Sequence, residues 1–302
     1  MLSLSAIMQN AYRAGVVVPA FNVPYLPMVA PVGRAVADLD AFALIEVARI
    51  EWLKFGNCGP AEVKAEFDRL DDHDHLRLHL DHIPVIDEDG QPVDALPVLR
   101  QAVDLGYDSV MLDGSLLDLE ANIQATRQAV ELAHAAGIPC EAELGAIARE
   151  GSGKDLPYEE LFRTGFGFTE VEDARRFAAE TGCDWLSVAV GNIHGAVSQA
   201  LRDKQKTEAR LDLERLEALR QATGIPLVLH GGSGVRLDCV QAAFKHGIAK
   251  INVGFEIRRA YEAALREGGD VPAAQAAVYA RTCSLLKDTY RAAGARRLIA
   301  EG

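Results

Sequence analysis

Histidines and carboxylates recur where short apolar runs end: His79-Leu80-Asp81-His82, Asp113-Gly114-Ser115, Glu141-Ala142-Glu143, Asn192-Ile193-His194-Gly195 and His230-Gly231-Gly232-Ser233-Gly234. Neutral imidazoles from three separate segments, His82, His194 and His230, suit Zn2+ or another divalent transition metal and leave its positive charge intact. A cation held with an open position polarises a ketone and its neighbouring hydroxyl, the chemistry of an enediolate formed as a carbon–carbon bond breaks. An adjacent carboxylate would carry the proton. Asp81 and His82 are neighbours and would ordinarily face apart, so the pleat must break for both to reach one site; Pro84, two residues on, fits a strand ending there. Glu141 and Glu143 share a face, which points either into an interior or outward against helices, and neither place suits an unpaired charge. A lone buried histidine is more often a packing residue than a ligand. Only the convergence of His82, His194 and His230 with acidic residues on intervening segments makes a site. His73 and His75, in a polar Asp-Asp-His-Asp-His stretch, and the helical His134 and His246 are given no role.

The elements that must position these groups follow from the apolar runs. They cover Val16–Val23, Phe42–Ile50, Arg77–Val85, Ser109–Ser115, Pro139–Ile147, Trp185–Asn192, Pro226–Ser233 and Lys250–Ile257. Between them lie helix-like segments: Leu117–Ala136, Glu170–Glu180 behind the capping candidate Thr169, and Asp212–Ala222. Strands alternating with helices predict a parallel sheet, and eight repeats predict an α/β fold of the (β/α)8 TIM-barrel kind with an extra C-terminal helix. We expect a single domain over residues 1–302, the barrel occupying about 4–265 and the helical extension about 270–300. A dinucleotide fold loses support because the first run continues as Phe21-Asn22-Val23-Pro24-Tyr25, without G-x-G-x-x-G. The long connections Ala148–Phe168 and Ile193–Arg210 follow strand ends, where at least one mobile lid is expected. The glycine-rich turn His230–Gly234 precedes the helix-like Leu237–His246, and Asn252-Val253-Gly254 lies beside it in barrel order. Together they offer backbone N–H groups to a phosphate.

The formal charge of −13, from 31 basic and 44 acidic residues, excludes a nucleic-acid partner and requires a local positive feature for any anionic substrate. Five cysteines without a C-x-x-C pair argue against a disulfide framework and for a reducing compartment. With no signal-like N-terminus and no apolar stretch of membrane-spanning length, the expected location is cytoplasmic and no membrane partner is expected.

Seven ordered blocks make the chain resemble the class II, metal-dependent ketose-bisphosphate aldolases of the fructose- and tagatose-bisphosphate type, over roughly residues 4–258. They are Ala20-Phe21-Asn22-Val23, His79-Leu80-Asp81-His82, Ser109 to Ser115, Glu141-Ala142-Glu143-Leu144-Gly145, Ala189 to Gly195, Leu229 to Gly234 and Lys250-Ile251-Asn252-Val253. The resemblance implies aldol or retro-aldol cleavage of a ketose phosphate, releasing dihydroxyacetone phosphate or a related ketone. It implies zinc on His82, His194 and His230, with Asp81 as proton donor to the aldehyde-derived oxygen. Asp113 and Glu143 match a second or alternative cation site, and Gly195, Gly231, Gly232, Ser233 and Asn252 match the phosphate cradle, which Val253, Gly254 and Phe255 extend. A homodimer or homotetramer is implied. Three departures stand out. Phe255 replaces a hydroxyl residue, Glu46-Val47-Ala48-Arg49-Ile50-Glu51-Trp52 alters the aldehyde pocket, and Ala148 to Gly153 replaces a carboxylate-bearing loop, leaving Glu150 as the candidate base. The alternatives are a metal-dependent sugar-phosphate epimerase or hydrolase, or an inactive family member. A Schiff-base mechanism at Lys250 is disfavoured because Lys250 is expected to begin the eighth strand, at the bottom of the barrel.

Overall fold

The computed structural model describes residues 2–55, 59–71, 73–145, 148–149, 158–194 and 209–301, with the side chains of 148, 149, 193 and 194 excepted. Eight parallel strands close into a barrel: β1 (Val18–Asn22), β2 (Ala43–Ala48), β3 (Leu76–Pro84), β4 (Ser109–Asp113), β5 (Cys140–Leu144), β6 (Trp185–Val188), β7 (Leu227–Leu229) and β8 (Ile248–Val253), which pairs with β1. Each apolar run overlaps one strand, although β3 and β8 begin one and two residues before theirs, so the (β/α)8 expectation is met. The runs overshoot because apolarity persists into the turns. The eighth run becomes helical at Phe255, and β7 stops at Leu229, before the glycines.

Strand periodicity divides the core. Alternate residues such as Phe21, Ile45, Leu78, Val110, Ala142, Leu186, Leu229 and Ile251 lie in the large cluster shared with the surrounding helices. Their sequence neighbours point inward. At the lower end the inward residues are apolar: Val18, Ala20, Leu44, Trp185 and Val228 pack against Leu4, Ile7, Met8 and Ala11. Those four lie on an N-terminal helix, Leu4–Ala14, started by the Ser3 side chain and stopped by Gly15 at φ 64°, which closes the barrel from below. At the upper end the inward residues are polar, and they form the site.

The C-terminal stretch supplies the last barrel helix, Phe255–Arg266, and the expected additional helix, Val271–Ser284, capped by Asp270 and packed on Phe255–Arg266 and on Val29–Asp38. The capping expectation for Thr169 is corrected. Glu170 occupies the cap of Val171–Thr181, while the Thr169 hydroxyl donates to the Leu144 carbonyl at 2.6 Å and accepts from the Ala189 N–H at 2.8 Å, joining the ends of β5 and β6. Most of the two long connections, including Glu150 and Gly195, lies outside the described residues, as does the lid expectation. Above β5 and β6, Ala148–Arg149 pairs with Ile193–His194. Among the described residues no helix is long and apolar enough to cross a membrane.

Candidate active site

His82 is where the local backbone departs from rule. It has φ 39°, a left-handed conformation costly for a residue with a side chain, and the β3–β4 register shifts between Leu80 and Ile83. The break expected between Asp81 and His82 is therefore present. Its cause differs from the expected strand end, because β3 continues through Pro84 after a bulge. The bulge lets adjacent side chains serve one cavity.

One group gathers around His82. Its ring lies 4.4 Å from that of His230, centroid to centroid, at 61°. His82 Nδ1 is 3.5 Å from Asp113 Oδ2 and 3.9 Å from Glu143 Oε2, and His230 Nδ1 is 3.3 Å from Glu143 Oε2. Asp81, His82 and His230, and likewise His82, Asp113 and Glu143, present donor atoms within 4.8 Å of one another. The structure thus brings His82, His230, Asp113 and Glu143 together, whereas the side chain of His194 lies outside the described residues. Imidazoles and carboxylates in this number fit a divalent transition metal. The electrostatics agree. Burial works to discharge both imidazoles, yet Glu141 and Glu143 lift the pKa of His230 to about 10, and Asp81 chiefly raises that of His82. The same surplus of carboxylate charge would favour a bound cation.

Supporting contacts fix these groups. Asp113 Oδ1 accepts from the Ser115 N–H and hydroxyl at 2.9 and 2.6 Å. The Asn122 amide donates to the Glu143 carbonyl at 3.0 Å, and that of Asn192 to the His230 carbonyl at 2.8 Å. Gly114 is required here, since a Cβ would meet Asn122 Oδ1 at 2.1 Å. Glu141 and Glu143 both point inward. Glu141 Oε1 lies 2.9 Å from His230 Nε2 and its Oε2 accepts from the Trp185 indole at 2.7 Å. An ionised carboxylate only accepts, so Nε2 carries the proton and Nδ1 is turned toward Glu143, the usual support for a metal-binding histidine. Glu141 is kept ionised, its pKa near 2: burial pushes upward but Lys250 and His230 outweigh it.

The second group surrounds Asp81. Asn22 donates to Oδ2 at 3.0 Å and Asn252 to Oδ1 at 2.9 Å. Burial opposes its charge, but His82, Lys250, His230 and His79 together hold its pKa far below the usual carboxylate range. Lys250 is corrected in position: it is the third residue of β8, and its fully buried amine enters the same polar layer. Glu141, Glu46 and Asp81 raise its pKa against the effect of burial, so it is charged and a poor imine-forming nucleophile. Glu46, His79, Glu141, Lys250 and Asn22 had no assigned role in the sequence. Period-two counting back from Asp81, Glu143 and Asn252 reaches His79, Glu141 and Lys250.

At the rim, Gly231 and Gly234 take φ 68° and 108°, and Ser233 is exposed. A Cβ on Gly232 would meet Ile251 Cδ1 at 2.9 Å. Gly254 precedes the helix begun by Phe255, over whose ring stand the guanidinium carbons of Arg259 at 5.3 Å and Arg258 at 5.9 Å. Of these two arginines, Arg258 also lies 3.4 Å from Glu262. Asn252 lies deeper, its amide shared between Lys250 and Asp81. Glu51 is buried on the short helix Arg49–Lys54 that follows β2, accepts from the Ala48 N–H at 3.0 Å, and has a pKa raised by burial to about 8.

Comparison with known proteins gives a consistent answer. The family model for fructose-bisphosphate aldolase class-II matches residues 2–296. The Escherichia coli (strain K12) protein YdjI, named as uncharacterized, is 38% identical over 178 residues, a match spanning 59% of this chain and 59% of YdjI. A crystal structure of the YdjI aldolase from Escherichia coli K12 superposes with TM-score 0.78 at 26% identity, covering 98% of this chain and 99% of that one. The fold is also that of fructose-bisphosphate aldolase from Campylobacter jejuni, with TM-score 0.73 at 20% identity and 95% of each chain covered.

Proposed function

We propose that this chain, which belongs to the class-II fructose-bisphosphate aldolase family, cleaves a phosphorylated ketose by a metal-dependent retro-aldol reaction and runs the condensation in reverse. The observation that carries this reading is the bulge at His82, which turns Asp81 and His82 toward one cluster of donor atoms with His230, Asp113 and Glu143. His82, His230 and His194 would hold Zn2+ or a related divalent metal, with Asp113 and Glu143 available to a second cation or an alternative position. When bound, that metal would polarise the substrate carbonyl and stabilise the negative charge left on the ketone half. Asp81, held ionised between Asn22 and Asn252, takes the hydroxyl proton of the carbon that becomes the aldehyde, as the adjacent carbon–carbon bond breaks and its electron pair stays with the ketone fragment. In condensation the same oxygen returns that proton to the aldehyde-derived oxygen. The turns Gly231–Gly234 and Val253–Phe255, with Gly195, would bind the phosphate of the ketone half. Phe255 removes one hydroxyl from that cradle and narrows the choice of substrate. A homodimer or homotetramer fits the family.

The test is metal content by elemental analysis together with release of dihydroxyacetone phosphate, or its unphosphorylated analogue, from a panel of ketoses. Stoichiometric metal and cleavage abolished by chelator and by His82→Ala are expected. Skeleton-conserving isomerisation would indicate an epimerase, and phosphate release a hydrolase. Bound metal without any turnover would indicate an inactive member.

A further inference from the structure

We propose that Lys250 is a positioning residue for the aldol reaction: one buried ammonium that fixes both the proton-transferring carboxylate Asp81 and the imidazole of His230. The inference rests on the functional reading above and adds a role for a buried residue that reaches Asp81 through Asn252 and His230 through Glu141.

The amine of Lys250 is fully buried in the barrel interior and meets two arms. Along the first it donates to Asn252 Oδ1 at 2.6 Å. That bond settles which way the amide points, so Asn252 Nδ2 must face Asp81, to whose Oδ1 it donates at 2.9 Å. With Asn22 on the other oxygen, the carboxylate is gripped at both ends and cannot rotate without breaking a charge-assisted bond. Along the second arm the ammonium lies 2.9 Å from Glu141 Oε2, and Glu141 presents Oε1 to His230 Nε2 at 2.9 Å. Glu141 is thus a two-sided adaptor, its position set by Lys250 and Trp185 and its free edge setting the tautomer and direction of the imidazole. A rotation of the ammonium would disturb Asp81 and His230 together.

The surroundings favour this over a second metal site. Glu46, His79 and Asp81 present donor atoms within 4.8 Å of one another, a grouping that taken alone resembles a cation site. Lys250 Nζ stands 3.3 Å from Glu46 and 3.9 Å from Asp81, so the chain already supplies the positive charge there. A lysine serves better than a metal for this purpose, because its tether keeps the charge below the reacting groups and leaves the site above it to the metal. The packing is equally specific: β8 contributes the ammonium, β5 Glu141, β2 Glu46 and β3 Asp81, so the network crosses the barrel axis.

The experiment uses Lys250→Met, which keeps the stem and removes the charge, and the double variant Lys250→Met with Glu46→Gln, which removes both members of the buried Lys250–Glu46 contact and so leaves no lone partner if the single variant does not fold. Both are loaded with Co2+ or Zn2+. Metal affinity is read by competition with a chromophoric chelator, the Co2+ absorption spectrum is recorded, and kcat and KM are measured on whichever ketose the parent cleaves. Expected are a loss of about 10–100-fold in metal affinity, a shifted Co2+ spectrum, and a fall of about 100-fold in kcat with KM within about threefold. Asp81→Asn should lower kcat alone, leaving metal affinity and spectrum unchanged. A folded Lys250 variant whose metal affinity or kcat lies within about threefold of the parent would overturn the proposal, as would a loss confined to KM. If the metal-loaded parent cleaves no ketose, the aldolase reading fails, while the affinity and the Co2+ spectrum still decide whether Lys250 positions His230.

Discussion

The lower and upper halves of the barrel interior are built from the same strands on opposite principles. Below, Val18, Ala20, Leu44, Trp185 and Val228 meet an amphipathic N-terminal helix, and the stabilisation is non-directional burial. Above, Asn22, Glu46, His79, Asp81, Glu141, Glu143 and Lys250 are buried, and directional contacts such as Asn22 to Asp81 and Lys250 to Glu141 order a layer in which carboxylates outnumber the one ammonium. Trp185 belongs to both, its ring in the apolar floor and its indole N–H on Glu141. The difference teaches where stability and activity should separate: substitutions below should loosen the fold and spare chemistry, and substitutions above should remove chemistry, costing stability only where they leave a buried charge without its partner.

The largest expected effect is in the upper half. Asp81→Asn keeps the shape but removes the proton acceptor, and kcat should fall by about 10²–10⁴-fold with little change in thermal midpoint. Activity assays beside calorimetry check this; a large loss of stability with retained kcat would break the contrast. Next is the floor. Ile7→Ala, at a fully buried position of the closing helix, should cost about 2–5 kcal/mol in denaturant unfolding while kcat of the folded fraction stays near the parent value. The smallest effect concerns the buried carboxyl of Glu51, which feels the charges of Asp81 and Arg258. Its pKa near 8 lies above its ordinary value of 4.5, so the folded protein holds this proton more tightly than the unfolded chain does. That stabilisation is complete below about pH 4.5 and is lost as pH rises through about 8. Glu51→Gln should therefore match the parent near pH 5 and melt higher above pH 8, as a melting series across pH would reveal.

Much of this was legible because strand side chains alternate and barrel sites sit at strand ends. Those two rules located Asp81, His82, Asp113, Glu143 and His230, and they reach Glu141 and Lys250 if counting continues inward. What they missed has definite causes. The apolar run starts at Lys250 and so puts it at the barrel bottom, whereas β8 begins two residues earlier, at Ile248. Thr169 looked like a helix cap because its hydroxyl suits that position equally well, and only the proximity of Leu144 and Ala189 redirects it. The closing helix Leu4–Ala14 carries an ordinary amphipathic pattern that does not say what it covers.

By itself the sequence determined the period, and therefore which residues of each strand share a face, and it determined the residue types able to bind a metal and move a proton. The tertiary structure alone decided which of those residues meet. Asn22 and Asp81 are 59 positions apart, Asn252 and Asp81 171, and His230 and Glu141 89. Such contacts depend on barrel closure and on the β3 bulge, and both are set by packing over the whole chain rather than by any local pattern.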